Sequence, residues 1–303
     1  METNAAIVAP VLVGTDGSPP ADRAVVWAAA EAALRGRRLH IVHITERWPY
    51  DIPLFPAPGM RDSLSEAGLR ILVRAKDLAL EHRAGLTVTT ELIEESTAHT
   101  LAEASARAFE VVLGHRGLGG FGSLLLGSTG LRVAAHARGP VVIVRGEDTG
   151  PAATAGAVGA EGTRGEIVAG TDLSEGSAEA LEYAFDAAAA RQARLRVIHA
   201  WQLSETLVSA GYAADVAEIE QGVRQALART LMLSRDRHPD VPVAAEVLRE
   251  HPVSALIDAS HGADLVVVGP HGGTGRGLIR LGSVGHGVIH HAHCPVVVVR
   301  PRT

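Results

Sequence analysis

The stretch VLGHRGLGGFGSLLLGST, residues 112–129, decides how the rest of the sequence is interpreted, because the chain carries it twice. The second copy is VVGPHGGTGRGLIRLGSV, residues 267–284, displaced by 155 positions. Both copies begin with a short apolar run and then place Gly, two residues, Gly, nine residues and Gly-Ser at the same intervals. Each copy therefore predicts a buried strand that enters a glycine-rich loop and leaves it at the start of a helix.

The repeat extends on both sides of these stretches. At an offset of 156, the Gly-Thr-Asp of residues 14–16 matches residues 170–172, and His43 matches His199. Self-similarity over this length indicates one structural unit built twice. The residues between the copies are mainly Gly, Ala, Thr and Pro without a hydrophobic period. We predict a first domain over residues 1–147, a flexible linker over 148–165 and a second domain over 166–303.

Strands and helices are predicted to alternate within each copy. Short continuous apolar runs, rather than alternating ones, are typical of strands covered by helices on both faces and hence of a parallel sheet. Each copy is therefore predicted to be a doubly wound α/β domain. In the first copy the predicted strands are residues 11–13, 39–44, 86–93, 111–113 and 141–144, and the predicted helices are 18–34, 61–82, 97–108 and 128–137.

The glycine loops lie where a ligand would bind, because doubly wound sheets hold ligands beyond the carboxyl ends of their strands. Glycine lets the backbone approach a ligand closely, so that successive amides can converge on phosphate oxygens. Ser128 and Ser283 would add a hydroxyl and amide donors at the positive end of the next helix. The alternative is that the glycines only form tight turns and the serines only cap helices. Two copies at identical spacing favour a phosphate-binding loop.

Two other phosphate motifs do not fit. Neither Gly127-Ser128 nor Gly282-Ser283 has the lysine of a Walker A loop. Residues 117–122 match the dinucleotide pattern of glycines, but they follow the fourth strand rather than the first.

Asp16 and Asp172 each follow the first strand of their copy. A carboxylate at this place could accept hydrogen bonds from a ribose or face phosphates through Mg²⁺. The alternative is an aspartate turn or a helix cap.

Composition narrows the classes of partner. A net charge of −6, from 28 Lys and Arg against 34 Asp and Glu, gives no basic field for nucleic acid. No stretch approaches the roughly 18 apolar residues of a membrane span, and no targeting segment is apparent, so the prediction is a cytoplasmic protein that binds neither nucleic acid nor membrane. The single cysteine, Cys294, cannot form an internal disulfide.

The histidines near the second copy's last helix are the other notable group. His286, His290, His291 and His293 stand beside Cys294, but the first copy keeps only His136 in this stretch. Imidazoles near a helix end also favour its dipole, so we predict no metal site there. No repeated base neighbours Ser128 or Ser283, and no catalytic residue is predicted.

The spacing after the fourth strand, together with the aspartate after the first, resembles the universal stress protein family in its ATP-binding class. The resemblance covers both copies. It implies a five-stranded parallel sheet in the order 3-2-1-4-5 and ATP with Mg²⁺ across the first and fourth strands. It also implies that the two copies pair through their last strands and that two chains can associate as a homodimer.

The resemblance further implies which residues bind the nucleotide. In the first copy they are Gly14, Thr15, Asp16, Ile44, Leu113, Gly114, Arg116, Gly117, Gly127, Ser128 and Thr129. In the second they are Gly170, Thr171, Asp172, Ala200, Val268, Gly269, His271, Gly272, Gly282, Ser283, Val284 and Gly285. The function implied is a stress-response regulator acting through an unknown protein effector. Two alternatives remain open: a slow ATPase or autophosphorylating enzyme, and an interaction module without nucleotide.

Overall fold

Five strands run parallel to their neighbours in each half of the structure. It is a computed structural model, and it describes residues 8–46, 60–117, 127–145, 165–202, 216–270 and 281–300. The chain divides into two compact units, one formed mainly by residues up to 159 and the other by residues 160–301. The domain and linker bounds given by composition stay a prediction.

The described residues of the first unit alternate between strand and helix. Its elements are β1 (Val11–Gly14), α1 (Pro19–Leu34), β2 (Leu39–Thr45), α2 (Met60–His82), β3 (Val88–Glu94), α3 (Thr97–Ala104), β4 (Glu110–Gly114), α4 (Ser128–His136) and β5 (Val141–Val144).

The second unit repeats this sequence of elements. They are β6 (Glu166–Gly170), a 3₁₀ turn (Glu175–Ser177), α5 (Ala178–Arg191), β7 (Arg194–Ala200), α6 (Val216–Arg237), β8 (Val243–Leu248), α7 (Pro252–Ser260), β9 (Leu265–Val268), α8 (Ser283–His291) and β10 (Val296–Val298).

The strand order confirms the predicted fold class. Within the first unit the order is β3-β2-β1-β4-β5, and within the second it is β8-β7-β6-β9-β10. In both, the first strand lies between the second and the fourth, in parallel register with each. The predicted pairing of the two units through their last strands stays a prediction.

The core is mainly aliphatic, in line with the low aromatic content, although Trp27 and Phe185 are also fully buried. The side chains of Val11, Val13, Val111 and Val112 are fully buried in the central strands of the first unit. Alternate residues of a strand point to opposite faces, so burial of successive valines shows that both faces are covered. The continuous apolar runs in the sequence therefore correspond to strands that are buried on both faces, as predicted.

Helix α3 ends earlier than predicted, and the reason is a serine. The prediction ran to residue 108, but α3 ends at Ala104. The buried hydroxyl of Ser105 donates to the carbonyl of Ala102 at 2.5 Å and accepts from the amide of Arg138 at 2.7 Å. A side chain that bonds nearby backbone in this way competes with the helix.

The second unit repeats this arrangement. Ser260 donates to the carbonyl of Ile257 at 2.6 Å and accepts from the amide of His293 at 2.9 Å. In each unit one buried serine thus ties the end of the third helix to the turn before the last strand.

The helices were compared with the length and hydrophobicity that a membrane span needs. Within the described parts of the chain, no helix is both long enough and apolar enough to cross a bilayer. The cytoplasmic location stays a prediction.

Replacing Ser105 or Ser260 with alanine should destabilise the corresponding unit. Each change leaves a partly buried amide, that of Arg138 or His293, without its acceptor, and the lost hydrogen bond costs about 0.5–1.5 kcal/mol of the free energy of unfolding. Urea unfolding of the full chain measures the loss. Ser254→Ala, on the exposed face of α7, is the matched control and should shift the midpoint little. Equal midpoints for all three variants would contradict the assigned role of the buried hydroxyls.

Candidate functional site

The change of strand order creates a crevice beside the first strand of each unit. In the first unit the chain builds β2 and β3 on one side of β1, then crosses to place β4 and β5 on the other. The loops that follow β1 and β4 therefore flank a gap at the carboxyl edge. In doubly wound sheets such a gap is the usual place for a ligand.

A cavity of about 340 Å³ opens at this edge of the first unit. Every residue predicted to bind nucleotide in the first half lines it: Gly14, Thr15, Asp16, Ile44, Leu113, Gly114, Arg116, Gly117, Gly127, Ser128 and Thr129. The volume lies within the range of about 300–1,000 Å³ that is common for small-molecule sites.

Part of the cavity wall was not predicted from the sequence. The additional lining residues are Ala21, Val42, Thr97, Leu101 and Gly130. Strand periodicity could have found one of them, because Val42 is two positions before Ile44 in β2 and so shares its face. Thr97 and Leu101 lie one helical turn apart on α3, and no predicted site residue stands on that helix.

The turn after β1 fixes the orientation of Asp16. The Ser18 amide donates to Asp16 Oδ1 at 3.0 Å, and the Gly17 amide donates to Thr15 Oγ1 at 3.2 Å. His43 Nδ1 lies 2.7 Å from the Thr15 carbonyl, which can only accept, so this nitrogen carries the hydrogen. The aspartate turn considered as an alternative is therefore present, and it holds the carboxylate at the cavity rather than away from it.

The second unit has the same turn, with one substitution. Ser174 donates its amide to Asp172 Oδ1 at 3.1 Å, and His199 Nδ1 lies 2.9 Å from the Thr171 carbonyl. The position of Gly17, where φ is +78°, is taken by Leu173 with φ of +63°. A left-handed conformation costs a leucine about 1–2 kcal/mol and a glycine almost nothing.

The loop after the fourth strand is closed at its base by one hydrogen bond in each unit. Gly127 donates its amide to the His115 carbonyl at 2.8 Å, and Gly282 donates to Pro270 at 2.8 Å. These glycines are the N-caps of α4 and α8, so Ser128 and Ser283 are the first residues of the helices, as predicted, and the alternative that they cap the helices is wrong. A glycine cap has no side chain to occupy the amides of the first helical turn.

Two glycines at the cavity allow close approach of other groups. A Cβ on Gly114 would lie 2.6 Å from the Pro20 carbonyl oxygen, in the backbone of α1. A Cβ on Gly117 would lie 2.5 Å from Asp16 Oδ2, the end of a side chain. A larger residue at position 114 would therefore strain the fold, whereas one at 117 would mainly displace a carboxylate.

The second unit has a smaller cavity of about 110 Å³ at the equivalent edge. The predicted residues that line it are Gly170, Thr171, Asp172, Ala200, Val268, Gly269 and Val284. Gly282, Ser283 and Gly285 do not line it, and His271 and Gly272 lie outside the described residues. Four lining residues were not predicted from the sequence: Ser177, Ile198, Pro252 and Leu256.

Ser177 accounts for one difference between the cavities. Its hydroxyl lies 2.9 Å from Thr171 Oγ1 and donates to the Ser174 carbonyl at 2.8 Å. The repeat places Ala21 at this position in the first unit. The second cavity thus has a bonded hydroxyl where the first has a methyl group.

The electrostatic field at the first cavity includes two neighbouring carboxylates. Burial raises the pKa of Asp22 above its ordinary value, the guanidinium of Arg74 opposes the rise, and the charge of Asp16 adds to it. Asp22 pairs with Arg74, so its charge is partly compensated. Asp16 and Asp22 are nevertheless close enough to repel one another.

The histidine group near the last helix makes ring contacts. His286 and His290 have ring centroids 4.4 Å apart, and His261 stacks on His293 at 3.6 Å. The prediction that this group holds no metal is not decided by these contacts.

Both units match the same protein family. A model of the universal stress protein family matches residues 8–145 and again residues 163–300. A universal stress protein of Mycolicibacterium smegmatis is 36% identical over 296 residues, covering 96% of this chain and 97% of the relative. One of Mycobacterium tuberculosis strain H37Rv is 34% identical over 294 residues, covering 96% of each.

A solved structure shares the fold over the full length. The crystal structure of a universal stress protein from Archaeoglobus fulgidus matches with a TM-score of 0.68, covering 96% of both chains at 18% identity. At this low identity, the match shows only that the fold is shared.

Leu173→Gly should be more stable than Leu173→Ala by about 1 kcal/mol, because both remove the side chain but only glycine relieves the left-handed backbone. Urea midpoints of the two variants measure the difference. In the first unit, Gly17→Ala should lose a similar amount, since its Cβ would also lie 3.2 Å from Ile71 Cγ1. Alanine and glycine giving equal midpoints at position 173 would show that the turn is not strained.

Proposed function

The chain belongs to the universal stress protein family, and from this premise we propose that it binds ATP with Mg²⁺ and regulates a stress response through a protein effector. The observation that carries the proposal is the cavity between β1 and β4 of the first unit. Residues from the two strand ends and the glycine loop, far apart in sequence, line this one space.

The inner wall of the cavity suits an adenine ring. Val42, Ile44, Leu101 and Leu113 give it an apolar surface, and Val42 and Leu101 are each only 2% exposed. Small-molecule sites typically combine such walls with a few placed polar groups. The Thr15 backbone, held by His43, supplies a fixed polar edge beside this surface.

The opposite side of the cavity suits phosphates. Gly127, Ser128 and Thr129 bring the first turn of α4 to the lining, and a helix N-terminus binds anions through its amides and its dipole. The Arg116 guanidinium adds the positive charge of the lining. An adenine nucleotide lying from β2 towards α4 would place its base against the apolar wall and its phosphates against the amide donors of the helix.

Asp16 fits the role of a Mg²⁺ or ribose ligand. Its Oδ1 is used in the turn, and its Oδ2 faces Gly117 at the cavity. Mg²⁺ is usually held by one or two carboxylates together with phosphate oxygens. A divalent cation at Asp16 would also reduce the repulsion between this carboxylate and Asp22. Bound Mg²⁺ would neutralise phosphate charge, and the chain would orient it through Asp16.

The proposed role is binding rather than turnover. The described lining of the first cavity contains no histidine, cysteine, lysine or glutamate, so Asp16 is its one candidate base. Phosphoryl transfer depends on a positioned base or water and on cationic groups around the γ-phosphate. We therefore propose that hydrolysis is slow at most.

The second unit is proposed to hold the same ligand more weakly. It keeps the Asp172 turn and the helix cap at Gly282. Its cavity is about 110 Å³ against about 340 Å³, and the Ser177 hydroxyl occupies part of the space. Filling it would require the walls to move apart, which reduces affinity.

Gly117→Ala should weaken ATP binding at the first site by about tenfold or more while leaving the fold intact. The new methyl group would displace the Asp16 carboxylate, and a lost charged hydrogen bond costs about 1.5–3 kcal/mol. Isothermal titration of the full chain with ATP and Mg²⁺ measures the affinity, and thermal melting checks the fold.

Gly222→Ala, a glycine in α6 with open space at its Cβ, is the matched control and should bind ATP as the natural chain does. Adenosine should bind at least tenfold more weakly than ATP, because it cannot use the α4 amides. Equal affinities for ATP and adenosine, or for Gly117→Ala and the natural chain, would contradict the loop assignment.

A further inference from the structure

Three potential metal ligands meet between two helices of the second unit. Glu182 and Asp186 stand one turn apart on α5, and His238 follows the last residue of α6. One ligand atom of each lies within 4.8 Å of the others. Among the residues that the structure describes, this is the one group of three or more His, Cys, Asp or Glu side chains with that geometry.

The distances within the group fit a shared cation better than direct hydrogen bonds. His238 Nε2 lies 3.4 Å from Glu182 Oε1 and 3.6 Å from Asp186 Oδ1. Ordinary hydrogen bonds to an imidazole nitrogen span about 2.7–3.2 Å. Ligands about 2.0–2.1 Å from a tetrahedral Zn²⁺ are separated by about 3.4 Å.

Neighbouring residues orient two of the ligands. Glu182 Oε2 accepts from the Ser234 hydroxyl at 3.1 Å and pairs with Arg237 at 2.9 Å, so its Oε1 is the oxygen turned to His238. The Phe185 ring stacks on the imidazole with centroids 5.5 Å apart. Partners of this kind fix the direction of metal ligands and raise affinity.

In the first unit, the described residues at the equivalent positions do not form such a group. The repeat places Val26 and Ala30 at the positions of Glu182 and Asp186. Arg83 takes the place of His238: its amide donates to Ala79 at 3.0 Å at the end of α2, as the His238 amide donates to Ser234 at 3.0 Å. At these equivalent positions, the two carboxylates and the imidazole occur in the second unit and are all replaced in the first.

We infer that Glu182, Asp186 and His238 bind one Zn²⁺ ion per chain, with water in the fourth position. Imidazole nitrogen and carboxylate oxygen are both ordinary zinc ligands, and three protein ligands with an open fourth position is an established arrangement. The ion joins α5 to the end of α6 in the second unit. The inference does not depend on nucleotide binding.

Zinc titration of the full chain, after dialysis against a chelator, tests the site. We expect Asp186→Asn and His238→Ala to lose one bound Zn²⁺ per chain, or to bind it at least tenfold more weakly. The Asp186 side chain is 54% exposed, so its asparagine variant should fold normally. His82→Ala, an exposed histidine at the end of α2, is the matched control and should bind zinc as the natural chain does.

Melting temperatures with and without zinc give a second readout. Zinc should raise the melting temperature of the natural chain and of His82→Ala, but not that of Asp186→Asn. The inference is overturned if the natural chain binds no zinc, if both ligand variants keep full binding, or if the ion is instead lost in a His286→Ala and His290→Ala double variant. The last result would assign the metal to the histidines of α8.

Discussion

After β3 the chain crosses to the far side of β1, and the nucleotide cavities proposed in both units depend on this crossing and its equivalent in the second unit. It makes β1 and β4 neighbours whose following loops leave on opposite sides, so a gap must open at their carboxyl ends. In the first unit one side of that gap is backbone packed on backbone, since Gly114 lies against Pro20 with no space for a Cβ. A site built on packed backbone is more rigid than one built on long side chains.

The two units show which features this constraint preserves and which it leaves free. The aspartate turn, the histidine bound to the threonine carbonyl and the amide that closes the glycine loop have the same bonds in both. The residues around them differ, with Leu173 for Gly17 and Ser177 for Ala21. Bonds to backbone tolerate changes in neighbouring side chains, so the same turn can border cavities of quite different volume.

Sequence alone predicted what depends on local pattern. The repeat and the apolar runs predicted the strands, the helices and the parallel sheets, while the family resemblance implied the strand order and the first-unit residues that line the cavity. It missed features that depend on distant partners. Helix α3 ends at Ala104 because Ser105 bonds the amide of Arg138, thirty-three positions on. Leu101 reaches the cavity only through the packing of α3.

The proposed zinc ligands also depend on residues that are distant in sequence, because the packing of two helices brings Asp186 and His238 together. In the first unit the corresponding positions on α1 and α2 include Val26, Ala30 and the fully buried Ala79, so that contact is largely apolar. Replacing apolar contact by carboxylates and imidazole carries a desolvation cost that only satisfied partners offset. Arg237 and Ser234 satisfy one oxygen of Glu182, and a cation would satisfy the other together with His238. Helix α5 begins directly after Ser177, which lines the second cavity, so one helix carries both carboxylates of the proposed zinc site and starts beside that cavity.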